Sequence, residues 1–206
     1  RRPERSQLCF FHGTGVEWVT RTTDRYSNIT IYGSNRYRLL LSTDHTQWLT
    51  CHVQELRLNH CHFDRNTAKS FCEDLSQPSS ILENLDLAYH DDMHGTTPSM
   101  LCVMQALASL FRQQLPCSLT TLRLGVCCRN EITDDFFAAL AQYRGNIKQI
   151  SIFVYDREVD LLSWLRWYEI LMTSNAITTI ASGTTRTLTF DDVNTITWRL
   201  LMSLKR

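Results

Sequence analysis

The stretch VQELRLNHCHF, residues 53 to 63, spaces its apolar side chains by three, two, three and two residues from Val53 to Phe63. A single helix does not account for this spacing, because Leu56 and Leu58 would lie about 200° apart around the helix axis. In a strand the two leucines point to the same face, and the flanking apolar residues then require a bend at either end. The stretch therefore predicts a short strand followed by a turn, provided that the pattern recurs.

The pattern recurs along the 206 residues, with starts that lie 29, 37, 28 and 30 residues apart. The five copies are VQELRLNHC from Val53, LENLDLAYH from Leu82, LTTLRLGVC from Leu119, IKQISIFVY from Ile147 and ITTIASGTT from Ile177. The last copy is degraded, because Ser182 replaces its third apolar residue. A repeat of this length indicates one supersecondary unit that stacks on its neighbours.

Each copy is followed by apolar residues at helical spacing. After the first copy they recur at i, i+3, i+4 and i+7 between Ala68 and Leu75. The matching positions after the later copies are Leu101, Met104, Ala108 and Phe111; Phe136, Ala139, Leu140 and Tyr143; Leu161, Trp164, Leu165 and Tyr168; and Val193, Ile196, Leu200 and Leu204. The repeating unit is therefore predicted to be a strand, a turn, a helix and a return.

These units resemble leucine-rich repeats, and within that family the long, helix-bearing repeats of ribonuclease-inhibitor-like proteins. Residues 53 to 63 match the family motif L-x-x-L-x-L-x-x-N/C-x-L almost completely. Its asparagine or cysteine position is held by Cys61 and Cys127 in the first and third copies, but by His90 and Tyr155 in the second and fourth. The resemblance implies an α/β leucine-rich-repeat solenoid with a parallel concave sheet and convex helices.

The resemblance also implies two regions along the chain. Residues 51–206 are expected to form the leucine-rich-repeat domain, with about five repeats, the last of them degenerate or capping. Residues 1–50 are expected to form an irregular N-terminal capping region. Within it, NITIYG at 28–33 has the alternation of a strand, and YRLLLSTDHTQWL at 37–49 is interpreted as helical.

Two finer expectations concern the helices. Thr133 is placed to cap the third helix, ahead of Asp134 and Asp135, which suit the positive end of the helix dipole. Trp167 lies beside the predicted core stripe of the fourth helix, where an exposed ring would indicate a second contact surface, but ordinary helix packing is the favoured interpretation.

The overall charge of the chain does not predict a highly charged binding partner. The chain has 21 basic and 21 acidic residues, so bulk charge attracts neither nucleic acid nor an anionic membrane. No apolar run reaches eighteen residues, which predicts that the protein does not span a membrane. The eight cysteines form no C-x-x-C pair and are interpreted as reduced thiols of an intracellular protein, cytoplasmic or nuclear.

In such a solenoid, alternate strand residues point out of the concave face. The candidate partner-binding residues are Glu55, Arg57, Asn59, His60, Asn84, Asp86, Tyr89, Arg123, Val126, Gln149 and Phe153. The column of Arg57, Asp86 and Arg123 has an alternative interpretation as an internal ion-pair ladder, because neighbouring strands are about 4.8 Å apart and adjacent members lie within reach of one another. Mixed charges beside an apolar patch of Val126, Phe153 and Val154 favour protein binding. The longer second repeat adds a predicted contact loop at 90–98.

Two chemical alternatives receive less support. His60, His62, His90 and His94 lie on neighbouring repeats and offer ligand types that zinc accepts, but solvated turn histidines are the simpler interpretation. Cysteines at the structural position of the motif predict inert buried thiols, and the outward-facing Cys128 lacks the context of a nucleophile. No phosphate-binding glycine loop is present, so we expect no enzyme, no metal and no cofactor.

We therefore expect a protein-protein interaction module, an adaptor, scaffold or recognition domain that uses its concave face and the 90–98 loop. The resemblance suggests two settings, the substrate-recognition arms of ubiquitin ligases and the sensor domains of intracellular receptors, without choosing between them. The alternative is a nucleic-acid-binding repeat domain, for example in RNA export. Strongly salt-dependent RNA binding would support that alternative.

Overall fold

The strands and helices follow one another along most of the chain. The computed structural model describes residues 8–11, 26–32, 39–59, 61–87, 98–126, 131–154, 161–174, 176–177 and 179–184. The strands are β1 (Leu8–Phe11), β2 (Tyr26–Tyr32), β3 (Leu39–Leu40), β4 (Val53–Asn59), β5 (Cys61–His62), β6 (Asn84–Leu87), β7 (Thr121–Val126), β8 (Gln149–Val154) and β9 (Thr179–Thr184). The helices are α1 (Thr43–His52), α2 (Arg65–Leu75), α3 (Pro98–Arg112), α4 (Glu131–Gln142) and α5 (Leu161–Met172).

Seven of these strands form one parallel sheet in the order β1-β2-β4-β6-β7-β8-β9, and β3 pairs separately with β5. Because the strand order follows the chain order, each of the helices α2 to α5 connects two neighbouring strands of the large sheet. The predicted α/β class and parallel sheet are confirmed. None of the helices within the described ranges is long and apolar enough to cross a membrane.

The register of the sheet aligns the sequence copies at the same motif position. One row of paired residues crosses six strands and consists of Ile29, Leu56, Leu85, Leu122, Ile150 and Ile180. Because side chains alternate along a strand, this row and the row two residues further on point to the same side of the sheet. The apolar periodicity thus produces one continuous apolar sheet face.

The core lies between this apolar sheet face and the helices. The predicted helix stripes from Ala68 to Leu75 and from Phe136 to Tyr143 are buried there together with the strand leucines. Successive helices pack against each other, from α1 with α2 to α4 with α5. Aromatic rings join the helices, because Phe111 of α3 lies 5.9 Å from Phe136 of α4 and 4.8 Å from Tyr143 between ring centroids.

Short polar residues begin the first two helices. Ser42 accepts a hydrogen bond from the backbone N–H of His45 at 3.4 Å, and the His45 side chain accepts one from the backbone N–H of Ser42 at 3.2 Å. Asp64 accepts a hydrogen bond from the backbone N–H of Thr67 at 2.7 Å. These caps satisfy donors that the first helical turn leaves without partners.

The N-terminal part of the chain is more regular than the sequence indicates. The stretch 37–49, interpreted as helical throughout, contains strand β3, and the helix begins only at Thr43. The 50/51 boundary falls inside α1, and Ile29 and Ile31 of β2 pair with Leu56 and Leu58 of β4. The sheet therefore continues across the boundary, because β2 offers the same alternation of apolar residues as the repeats.

One expectation for the helices is wrong. Thr133 does not cap α4, because the helix already begins at Glu131 and Thr133 is buried inside its first turn. Trp167 is completely buried, as ordinary helix packing predicts, since its ring packs 5.0 Å from that of Phe137 on α4. Its indole N–H donates to Asp134 Oδ1 at 2.6 Å, so the whole side chain serves the α4–α5 contact. The fifth predicted helix, 193–204, lies outside the described residues.

Candidate functional site

The side of the sheet opposite the apolar face carries two rows of mostly polar residues, which we call the polar face. Its members are Glu55, Asn84, Thr121 and Gln149 in one row, and Arg57, Asp86, Arg123 and Ser151 in the other. Parallel pairing aligns each row across β4, β6, β7 and β8, so neighbouring members lie about one strand spacing apart. The polar face is therefore a consequence of the same register that forms the core.

Asp86 occupies the centre of the second row, between two arginines. Its carboxylate oxygen Oδ2 lies 3.2 Å from Nη1 of Arg123 and 4.0 Å from Nε of Arg57. The Asp86 side chain is only 7% exposed, because the two guanidinium groups approach it from the neighbouring strands. The predicted column of Arg57, Asp86 and Arg123 is confirmed as an ion-pair network.

Arg57 is tied more closely to Glu55 on its own strand. Its Nε and Nη2 donate to the same Glu55 oxygen, Oε1, at 3.1 and 2.8 Å. This hydrogen bonding and the negative charges of Glu55 and Asp86 raise the pKa of Arg57, against the opposing effect of partial burial. Arg57 thus has a carboxylate on its side-on edge and a second carboxylate nearby.

Arg123 is held differently, between a carboxylate and an aromatic ring. Its guanidinium carbon lies 5.3 Å from the centroid of the Phe153 ring, a distance at which a cation attracts the face of an aromatic ring. Phe153 belongs to β8 and pairs in register with Gly125, which has no side chain to compete for the space. The ring and Asp86 together fix Arg123, whose side chain remains 35% exposed.

Several candidate residues are not surface residues. Val126 was expected on the outer face, but it is buried in the core. The reason is that β7 continues to Val126, which pairs with Val154, so strict alternation turns it to the same side as Leu122 and Leu124. Asn59, at the end of β4, is also buried. Neither residue is available to a partner in this conformation.

The remaining candidates divide into two groups. Gln149 is exposed, and Glu55, Asn84 and Phe153 are partly exposed on the polar face. His60 and Tyr89 lie outside the described residues, as does 88–97, which includes most of the predicted contact loop. The contact between Arg123 and Phe153 was not predicted. It is a diagonal contact between neighbouring strands. The sequence feature that could have predicted it is Gly125, which pairs with Phe153 and leaves room for the ring.

Of the four histidines considered for a zinc site, only His62 lies in the described part of the chain. No group of three or more His, Cys, Asp and Glu side chains there is arranged to hold a metal ion. Among the cysteines that the structure describes, Cys51, Cys61, Cys72, Cys102 and Cys117 are free thiols. Cys61 is buried as predicted, and burial raises the pKa of Cys72 and of Cys117. A raised pKa opposes formation of the thiolate nucleophile.

Comparison with known proteins gives no assignment. No protein-family model matches this chain, and no curated protein matches it. The polar face is therefore interpreted from its own geometry.

Proposed function

We propose that this protein is a protein-protein interaction module, a leucine-rich-repeat-like solenoid that binds a protein partner through the polar face of its sheet. Strand–helix units in one register support the solenoid, because such a unit cannot bury its own apolar faces and is stabilised by stacking on its neighbours. Among the described residues the helices cover one side of the sheet, which leaves the polar face as the side that a partner can reach.

The observation that carries the proposal is the mutual fixing of charged side chains on the polar face. Arg57 is held by Glu55, and Arg123 is held by Asp86 and Phe153, while both arginines remain partly exposed. Side chains that are already ordered lose little conformational freedom when a partner binds. Arginine and aromatic residues are also the types that contribute most to protein interfaces.

A protein partner suits this surface better than a nucleic acid. The second row alternates Arg57, Asp86 and Arg123, so it offers no continuous run of positive charge along which a phosphate backbone could bind. The free thiols among the described cysteines fit a reducing compartment, which supports an intracellular location. An adaptor or recognition role needs no catalytic residue, metal or cofactor.

Affinity capture with a blocked polar face tests this function. We expect the wild-type protein, used as bait in a lysate of the native cells, to retain a protein that the double variant Thr121→Tyr with Gln149→Tyr does not retain. Both positions lie on the polar face, and tyrosine suits a strand. The two tyrosines add bulk without removing any contact of Arg57 or Arg123.

The matched control places the same bulk on the helix layer. Lys69 and Glu73 form an exposed ion pair on α2, and Lys69→Tyr with Glu73→Tyr adds two tyrosines there. This control is expected to retain the partner, and circular dichroism should show that all three proteins are folded. Equal retention by both double variants would contradict binding through the polar face. Enrichment of RNA instead of protein would favour the nucleic-acid alternative.

A further inference from the structure

We infer that the partner presents an acidic segment to the polar face, and that Arg123 rather than Arg57 receives its carboxylate. This inference rests on the proposed function and adds the chemistry of the partner to it. It follows from the difference between two arginines that stand in the same row, one on β4 and one on β7, on either side of Asp86.

The two guanidinium groups differ in which edge is already occupied. An arginine has five N–H donors, and its Nε and Nη2 edge matches the two oxygens of a carboxylate. In Arg57 this edge is taken, because both atoms donate to Glu55 Oε1. Arg123 approaches Asp86 through Nη1 at 3.2 Å. Within the described part of the chain, its Nε and Nη2 edge has no hydrogen-bond partner.

A protein that covers the polar face has to satisfy these donors. The Arg123 side chain is 35% exposed, so solvent reaches part of it in the free protein. A partner that displaces this water without supplying an acceptor leaves a charged donor desolvated, which opposes binding. A carboxylate supplies two acceptor oxygens in the matching geometry, and the bond is then charge-assisted. An acidic side chain or a terminal carboxylate is therefore the partner group that this position selects.

The surroundings of Arg123 specify more than charge. The Phe153 ring lies against one side of the guanidinium, and this partly exposed ring can take an apolar neighbour of the acidic residue. Around Arg57 the partly exposed Glu55 repels a second carboxylate. The expected recognition element is an acidic residue with an apolar residue next to it, placed over β7 and β8.

Selection from a library of random twelve-residue peptides tests the inference with defined probes. The full chain is immobilised, peptides are selected on it, and the affinity of one selected peptide is measured by fluorescence anisotropy. We expect aspartate or glutamate beside an apolar residue in the selected peptides. Arg123→Gln should weaken the peptide by roughly tenfold to a hundredfold, as loss of a hydrogen-bonded charge contact does. Arg57→Gln, the matched control, should weaken it by less than about fivefold.

A further variant separates recognition from folding. Arg123→Gln removes the 3.2 Å ion pair of the buried Asp86, which can disturb the fold. Arg123→Gln combined with Asp86→Asn removes both charges and should still show the weakened peptide binding, with an unchanged circular dichroism spectrum. Selection of neutral or basic peptides, failure to select any peptide, or a larger effect of Arg57→Gln would each overturn the inference. If the inference fails but the Thr121→Tyr, Gln149→Tyr variant still loses the partner in affinity capture, the proposed function remains supported.

Discussion

The two faces of the sheet are built from the same strands but carry opposite kinds of residue. On β7, Leu122 and Leu124 enter the core, while Thr121 and Arg123, which alternate with them along the strand, belong to the polar face. The apolar face is covered by helices, whose aromatic rings around Phe111 belong to the same core. The polar face holds ion pairs of two partly exposed arginines with the partly exposed Glu55 and the buried Asp86. One residue step therefore separates positions that stabilise the fold from positions that can contact a partner.

This comparison predicts that the two faces respond differently to substitution. Burial of apolar surface contributes roughly 1.5–3 kcal/mol for each large side chain, whereas exposed ion pairs contribute about 0–1 kcal/mol. Changes at the apolar face and the helices should lower the free energy of unfolding. Changes at the polar face should mainly alter binding.

The largest loss is expected for Phe111→Ala. Phe111 is completely buried and packs against Phe136 and Tyr143, so its removal leaves a cavity between α3 and α4. The free energy of unfolding, measured by urea denaturation, should fall by about 3–5 kcal/mol. A loss below about 1 kcal/mol would show that this cluster does not hold the helices together.

A smaller loss is expected for Trp167→Phe, which keeps a large ring but removes the indole N–H. That N–H donates to Asp134 Oδ1 at 2.6 Å across the α4–α5 contact. Hydrogen bonds to charged groups contribute about 1.5–3 kcal/mol, and the loss should lie in that range. The same substitution in an Asp134→Asn background is the control. If the hydrogen bond to the carboxylate is responsible, Trp167→Phe should lower the free energy of unfolding by less in that background.

A similar or smaller loss is expected for Gly145→Ala. A methyl group at this position would overlap the ring of Tyr143, which is buried and donates through its hydroxyl to the carbonyl of Leu115 at 2.8 Å. Overpacking of this kind costs about 1–3 kcal/mol. In a Tyr143→Leu background the added methyl group should be tolerated better. Equal costs in both backgrounds would contradict a clash with the Tyr143 ring.

On the polar face, Arg57→Gln should change stability by about 0–1 kcal/mol. Arg57 is 44% exposed, so solvent screens its contact with Glu55. A double-mutant cycle with Glu55→Gln, measured by urea denaturation, isolates the interaction between the two side chains. A coupling free energy above about 2 kcal/mol would contradict the expectation that the polar face contributes little to stability.

The smallest effect at neutral pH is expected for Asp64→Asn at the start of α2. The hydrogen bond from the backbone N–H of Thr67 lowers the pKa of Asp64 below its usual 3.8. A lowered pKa in the folded state means that the contribution to stability is present above pH 3.8 and is lost as the pH falls through the lower value. Asparagine also caps a helix, so the variant should match the wild type near pH 7 and lose less stability on acidification.

The central repeats could be predicted because their pattern is simple. Leu56, Leu85, Leu122 and Ile150 occupy the same motif position, and the structure pairs them side by side. The column of Arg57, Asp86 and Arg123 follows from the same alignment. Periodicity of apolar residues carries this information because each copy has to present the same face to the same core.

The strand and the helix on the N-terminal side were predicted, but the bounds of the helix were not, because its buried positions are partly polar. In α1 the buried residues include Thr46 and Thr50, which an apolar pattern does not count. Their hydroxyls are satisfied locally, since Thr46 donates to the carbonyl of Thr43 at 2.8 Å and Thr50 to that of Gln47 at 3.0 Å. Threonines bonded in this way can be buried at little cost. The helix is therefore defined by hydrogen bonds that only the folded backbone provides.

By itself, the sequence determined the repeating unit, the parallel sheet, the face of each central strand that enters the core and the charged column on the opposite face. These features depend on alternation and spacing, which are properties of the chain. Only the tertiary structure decided that Val126 is buried, that Trp167 binds Asp134 and that Phe153 lies against Arg123. Each depends on where a strand ends or on which side chains of neighbouring elements meet, because contacts between elements follow from packing in three dimensions and not from spacing along the chain.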